Sequence, residues 1–277
     1  MIPGLHCSPD GSVGLSGALL ELFESIDARF RSLAAGLHAE PMGFGPTLPV
    51  ASLRAADYFS SFPHQVMAPV SPGRSSEELQ AFRDANGKDG EGPLQLGPLA
   101  PVESVLAPAA CYALYPTLSG ANLETPRTFT LLCTCFRREK EFLPLRRQSC
   151  FRMREIVHVG DAGSARLFRE AAEAAALAVA AELRLPLAVT PATDLFFDAA
   201  RSPRYLHQKL FPAKHEFVFD DGLAVGSVNA HRTFFADLHS ISCGGSAAQS
   251  ACLAFGVERW LWAVLKVHGT DSRSWPR

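Results

Sequence analysis

Residues 135–155 read CFRREKEFLPLRRQSCFRMRE, and the folding of this stretch decides the architecture around it. CFRRE and SCFRMRE have the β-branched-poor but aromatic, alternating character of two strands, with KEFLPLRRQ as the connection between them. Side chains alternate faces along a strand, so Arg137 and Glu139 are expected to share one face, and Phe151, Met153 and Glu155 to share a face of the partner strand. Such a surface suits one ligand. An arginine offers a planar fork to phosphate, a glutamate accepts from an exocyclic amine, and a phenylalanine gives a base something to stack on. Together they describe a nucleoside triphosphate site. Taken only as a charge run, the same residues read as a solvated hairpin with charges paired across its strands.

The flanking sequence extends this sheet. Short apolar runs fill 108–160 (AACYALYPTL, TFTLLCTCF, CFRMREIVHVG), and more follow at EFVFD and GLAVGSV, all of strand character. Helical periodicity appears at 15–37, at 161–186 with Asp161 as N-cap and Pro186 beyond its end, and in the segment that follows FGV near the C-terminus. Residues 71–94 are polar and glycine-rich and predict a surface excursion around a short helix. Grouped strands without βαβ alternation predict an α+β fold around an antiparallel sheet flanked by helices. Neither GxGxxG nor GxxxxGK[ST] occurs, so a nucleotide would be held by side chains.

The 277 residues, 47% of them hydrophobic, suffice for a sizeable core, and we expect one domain spanning 1–277 with a helical insertion around 161–210. A net charge of -2 argues against a broad nucleic-acid footprint. No apolar run reaches membrane-spanning length and the N-terminus lacks the layout of a secretory signal, so a cytoplasmic protein with no membrane partner is expected. Seven cysteines without dense spacing point to reduced thiols or metal ligands rather than a disulfide framework.

FRRE, a loop, and then FRMRE resembles the second signature motif of class II aminoacyl-tRNA synthetases, and FGVERW at 255–260 is similar to the third. The helix and extended segment of 15–49 are compatible with the first, which forms a dimer interface. The resemblance implies ATP with Mg2+ as the nucleotide. Arg137 would grip the α-phosphate and Glu139 the adenine amine. Phe151 would stack on the adenine, Arg259 would cover its other side and reach the γ-phosphate, and Arg147 foremost among the loop arginines would touch phosphate. Where typical seryl enzymes carry a glutamate that helps hold Mg-ATP, this chain has Ala224, so backbone at Leu223, Ala224 and Val225 would meet the nucleotide instead.

Within the class, the chain looks most like the methanogen-type seryl-tRNA synthetases and their short relatives, the amino acid:[carrier protein] ligases. That likeness implies a Zn2+ ion held by Cys111, Glu155 and Cys252, with Cys243 as a competitor of Cys252, and an open fourth position for the substrate amine. Read alone, each cysteine is an ordinary core residue. Asp194, Lys214, Ser227 and Asn229 would lie near the amino acid, although capping or sheet polarity explains them equally. Arg201, Arg204 and Lys209 would face an acidic carrier or simply solvent. His231 is a candidate general base whose simpler reading is structural.

With no room for a tRNA-binding domain, the likeness implies a homodimeric ligase that activates glycine, alanine or serine as an aminoacyl-adenylate. It would pass the aminoacyl group to the phosphopantetheine thiol of an acyl carrier protein, with no tRNA as partner. A minimal seryl-type synthetase and a non-catalytic paralogue of the class are the alternatives.

Overall fold

The seven-stranded sheet that organises the molecule is antiparallel throughout, save for one short edge strand. In a computed structural model, which describes residues 2–87, 92–199 and 213–276, its strands are β1 (Glu40–Met42), β2 (Arg127–Phe136), β3 (Cys150–Gly160), β4 (Leu187–Ala192), β5 (Lys214–Phe219), β6 (Ala224–Arg232) and β7 (Gln249–Gly256). They lie in the order β1-β2-β3-β7-β6-β5-β4. Only β1 runs parallel to its neighbour, and Pro41 sits on that outer strand, where a missing N–H costs no ladder bond. The α+β fold expected from the sequence is the one observed.

Three helices cover one face: α1 (Gly17–Gly36), α2 (Ala162–Glu182) and α3 (Val257–His268). On α1 the spacing of Leu19, Leu22, Phe23, Ile26, Phe30 and Ala34 buries one stripe. Phe30 stacks on Phe255 of β7 with ring centroids 3.9 Å apart, and Trp260 of α3 meets it edge-on at 5.1 Å. Asp161 caps α2 by accepting from the backbone N–H groups of Gly163 and Ser164, as its sequence predicts. The stretch 161–210, expected as a helical insertion, contains α2 packed in this core, then the edge strand β4; residues 200–212 lie outside the described residues.

The other face carries a second apolar cluster built on Phe129, Leu131, Cys133, Val157 and Cys252 of the sheet. Over it lie the short helix Phe234–His239 and the residues AACYALYPTL. The latter are not a strand: Cys111–Ala113 and Tyr115–Leu118 are 3-10 turns. Their apolar residues contact the sheet from outside, so they form no ladder, and a short apolar run does not distinguish the two. The excursion at 71–94 contains the helix Ser76–Asn86, closed by a capping box between Ser75 and Glu78. Among the described residues, no helix is long and apolar enough to cross a membrane.

Candidate active site

Strand register collects the candidate residues on one face of the sheet. Leu131 pairs with Glu155, Glu155 with Ala254, Ala254 with Ser227 and Ser227 with Glu216, a row crossing five strands. The next row joins Val157, Cys252, Asn229 and Lys214. Met153 and Phe151 continue the face toward the open end of β3, since every second residue points the same way. β2 ends at Phe136, so Arg137 and Glu139 are not strand residues, contrary to expectation. They open the loop Arg137–Ser149, and both still line the same cleft as Phe151 and Met153.

Two adjoining cavities occupy this face. The narrower, about 130 Å³, is walled by Arg137, Glu139, Arg146, Phe151, Glu258 and Arg259 among others. The wider, about 520 Å³, holds Asp194, Lys214, Ser227, Asn229, Cys111 and Glu155 in its walls, together with Cys252. Arg137, Met153, Lys214, Ser227 and Ala254 border both. All four residues expected near an amino acid are thus brought together, beside Arg137, Glu139, Phe151 and Arg259 of those expected around ATP.

In the narrower cavity, Arg137 donates through Nε to the Pro108 carbonyl at 3.0 Å, and its guanidinium lies 5.3 Å from the Phe151 ring centre. Arg259 is fixed by two backbone carbonyls, with Nε donating to Arg146 at 2.9 Å and Nη1 to Ala224 at 2.8 Å. Burial, reinforced by the nearby charge of Arg137, lowers its pKa to about 10. Arg146, not Arg147, borders the cavity; Arg147 turns to Glu139 at 3.8 Å. The backbone contact expected at Leu223 is already used, because its N–H donates to Asp221 and its carbonyl accepts from Phe219 N–H in the β5–β6 turn. Ala224 and Val225, unlike Leu223, do line the cavity; the Val225 side chain is buried and the Ala224 carbonyl accepts from Arg259.

Two ion pairs that the sequence does not suggest tie β3 to the helices behind this cavity. The buried Glu258 carboxylate accepts the Arg152 backbone N–H at 3.0 Å and its Nε at 2.8 Å, joining α3 to β3. Arg152 also lies over the Phe23 ring at 3.7 Å. Arg154 forms a bidentate pair with Asp27 of α1, and both residues are buried. Alternation along FRMRE puts Arg152 and Arg154 on the helix-covered face, so they are structural.

In the wider cavity, Glu155 accepts the Ala110 N–H at 3.0 Å through Oε1, while its buried Oε2 has no hydrogen-bond partner among the described residues. Burial pushes the Cys111 and Cys252 thiols well above their usual range, and the charge of Glu155 adds to it in both. Burial likewise raises Glu155. Cys243 lies apart, paired in register with Ser246 and Leu123. Among the described residues no group of three or more His, Cys, Asp and Glu side chains is arranged to hold a metal ion. Burial works against the Lys214 ammonium, but Asp194 at 3.1 Å and Glu216 at 3.0 Å outweigh it and raise its pKa.

His231 has both ring nitrogens engaged, Nδ1 with the Tyr115 hydroxyl at 2.9 Å and Nε2 with Cys252 Sγ at 3.5 Å. Burial brings its pKa down to about 4. The geometry therefore supports a structural role rather than a general base. Arg201, Arg204 and Lys209 lie outside the described residues.

No protein-family model matches the chain. The chain superposes on the seryl-tRNA synthetase of Methanopyrus kandleri, solved with tRNASec of A. aeolicus, with a TM-score of 0.85 at 23% identity. That superposition covers 99% of this chain and 56% of the synthetase. The Pyrococcus horikoshii seryl-tRNA synthetase, solved with ATP, gives 0.67 at 14% identity, over 96% of this chain and 56% of that one. These likenesses establish the class II synthetase catalytic fold. In sequence, amino acid--[acyl-carrier-protein] ligase 1 of Bradyrhizobium diazoefficiens is 31% identical over 279 residues, covering 96% of this chain and 84% of that protein. Ligase 2 of the same organism is also 31% identical, over 96% of this chain and 81% of its own length. A class II core with that degree of identity over nearly its whole length belongs to the amino acid--[acyl-carrier-protein] ligase family.

Proposed function

We propose that the protein activates a small amino acid with ATP and transfers the aminoacyl group to the phosphopantetheine thiol of an acyl carrier protein. The position of Arg137 carries this reading, because it borders both cavities. A carboxylate in the wider cavity and an α-phosphate in the narrower would meet at its guanidinium. The substrate carboxylate oxygen attacks the α-phosphorus in line, pyrophosphate leaves, and an aminoacyl-adenylate remains. Arg137, with the Mg2+ that accompanies ATP, neutralises charge that builds on the phosphate oxygens. Glu139 and Phe151 hold the adenine and Arg259 the polyphosphate, so catalysis is by positioning and electrostatics. In the second step the carrier's thiolate attacks the adenylate carbonyl and AMP leaves. The wider cavity falls in the range of roughly 300–1,000 Å³ that accepts drug-sized ligands, which leaves room for a thiol arm beside glycine, alanine or serine.

Cys111, Glu155 and Cys252 would hold Zn2+ at the floor of the wider cavity. Support comes from the three side chains lining one cavity together and from the buried Oε2 of Glu155, for which no hydrogen-bond partner lies among the described residues, a donor set that a cation would satisfy. Zinc there would offer an open position to the substrate amine. Metal analysis checks the assignment: C111S, C252S and E155Q should each lose bound zinc while C243S keeps it. Full zinc in all four would sink it.

The function is tested by exchange of labelled pyrophosphate into ATP, dependent on glycine, alanine or serine, followed by offering a phosphopantetheinylated carrier and tRNA side by side. Exchange with at least one amino acid and aminoacylation of the carrier are expected. No exchange with any amino acid would defeat the enzyme reading, and acylation of tRNA alone would leave a minimal synthetase in its place.

A further inference from the structure

The loop that brings Arg146 to the nucleotide cavity is anchored by a part of the chain that this reaction scheme leaves unused. Leu5–Cys7 and Val13–Leu15 form an antiparallel hairpin. Ile2, Leu5, Val13 and Leu15 pack its base against the larger core. Its tip is a tight turn, in which Gly11 N–H donates to Ser8 at 3.1 Å and Asp10 accepts from the Ser12 N–H at 3.0 Å.

That tip holds the loop Arg137–Ser149 at two points. Ser149 donates through Oγ to the Asp10 carbonyl at 2.9 Å and through its N–H to the Gly11 carbonyl at 3.3 Å. The Phe142 ring lies directly on Gly11, whose φ is +81°, so a Cβ there would be both strained and driven into the ring. A third anchor is internal. Leu143 and Arg147 exchange two backbone hydrogen bonds of 2.8 Å around Leu145, whose left-handed φ of 63° turns its side chain into the core with 1% exposed. Arg146 then emerges beside this anchor. Its carbonyl accepts from Arg259 Nε at 2.9 Å, and its guanidinium pairs with Asp221 at 3.1 Å over the Trp262 ring.

We propose that the tip residues Asp10 and Gly11 are positioning residues of the ATP site, clamping the loop so that Arg146 and, through its carbonyl, Arg259 are in place before the nucleotide arrives. This rests on the ATP reading above. A charged surface connection of this length would otherwise have to be ordered at the moment of binding, and that cost would appear as weaker binding. Ser149 also accepts the Arg137 N–H through its carbonyl at 3.1 Å, but the Oγ and N–H bonds of Ser149 and the Phe142 contact by which the tip holds the loop lie away from the wider cavity, so losing them should separate the two substrates.

The test compares G11A, S149A and S149T in the complete protein. In the exchange assay, G11A and S149A should raise KM for ATP about three- to tenfold, the scale of one lost hydrogen bond. KM for the amino acid should stay within about twofold, and S149T, which keeps the hydroxyl, should return ATP binding toward the parent. In parallel, limited trypsin digestion without nucleotide should cut the loop at Arg138, Lys140, Arg146 or Arg147 faster in G11A and S149A than in the parent. The proposal is overturned if ATP KM is unchanged in folded G11A and S149A, or if both substrates' KM values rise together. Should the parent itself show no exchange, the enzyme reading fails on its own, and digestion decides the clamp: loop cleavage no faster in the two variants would overturn it.

Discussion

Arg137 is asked to do what a lysine in the same place does badly. Its Nε is spent on the Pro108 carbonyl, and in the proposed reaction the two terminal nitrogens, which make no hydrogen bond among the described residues, fork toward the phosphate where the cavities adjoin. A lysine keeps the charge but has neither the fixed fork nor the anchor. Both R137A and R137K are therefore expected to lower kcat for pyrophosphate exchange, by about 10²-fold or more for alanine, the scale of one preorganised charge-stabilising donor. Equal activity in R137K would show that the charge alone suffices. Phe151, Met153 and Glu155 were legible as one face because FRMRE follows strand alternation. Arg137 and Glu139 lie in the loop beyond β2 and were picked out by the likeness of FRRE to a signature motif, not by alternation. The partners of Arg152 and Arg154 were not legible, because Glu258 and Asp27 lie 106 and 127 positions away in sequence and no local pattern announces them. Arg146 and Arg147 are adjacent in sequence, and only the left-handed turn at Leu145 decides which of them faces the cavity.

At the scale of elements, the long helix α1 is riveted to β3 by one buried ion pair. Asp27 and Arg154 are 7% and 6% exposed, and Thr130 accepts a further hydrogen bond from Arg154 at 3.2 Å. Removing one partner of such a pair leaves the other charge stranded, which typically costs about 3–5 kcal/mol. D27A should show that loss in urea denaturation, and the double change D27L/R154M should recover much of it by replacing the pair with apolar contact. A double variant no more stable than D27A would mean that the pair's geometry, not its charge, is what α1 needs. Where β3 passes under α2, His158 stacks on Phe168 at 5.2 Å and is bonded to Thr128 at 3.0 Å. Burial, only partly opposed by Asp161, holds its pKa below 6.5. The folded protein therefore carries it neutral in a pH range where the unfolded chain has already bound a proton. Stability is complete above pH 6.5 and falls as the pH drops from there through the folded pKa. The melting temperature should decline between pH 7 and pH 5, and H158Q, which never ionises, should decline less. Parallel curves for the two proteins would remove His158 from the account. That α1 and α2 are helices was legible from their periodicity; that AACYALYPTL makes turns was not, since its apolar residues serve a lid over the sheet rather than a place in it.

Seen across the whole molecule, the two cavities lie side by side on a single sheet face and share five bordering residues, Arg137, Met153, Lys214, Ser227 and Ala254. Met153, Ser227 and Ala254 of that set are strand residues of β3, β6 and β7. Both cavities draw their floors from the same rigid strands β3, β6 and β7, so the relative placement of two ligands is set before either binds. Under the proposed reaction, a molecule that joins an amino acid to adenosine through a non-hydrolysable sulfamate linker spans both cavities at once. Binding its second half is then intramolecular, and linked ligands of suitable length commonly gain about 10²–10⁴ in affinity over either part. Glycyl-, alanyl- or seryl-sulfamoyl adenosine should therefore inhibit exchange at concentrations at least about 10²-fold below the Kd of AMP or of the free amino acid. The gain should vanish in R137A, whose missing guanidinium sits at the linker, and shrink much less in G11A, which disturbs the nucleotide side alone. An analogue that binds no better than AMP would mean that the cavities do not accept the two halves together, and the adenylate would lose its place on this face of the sheet.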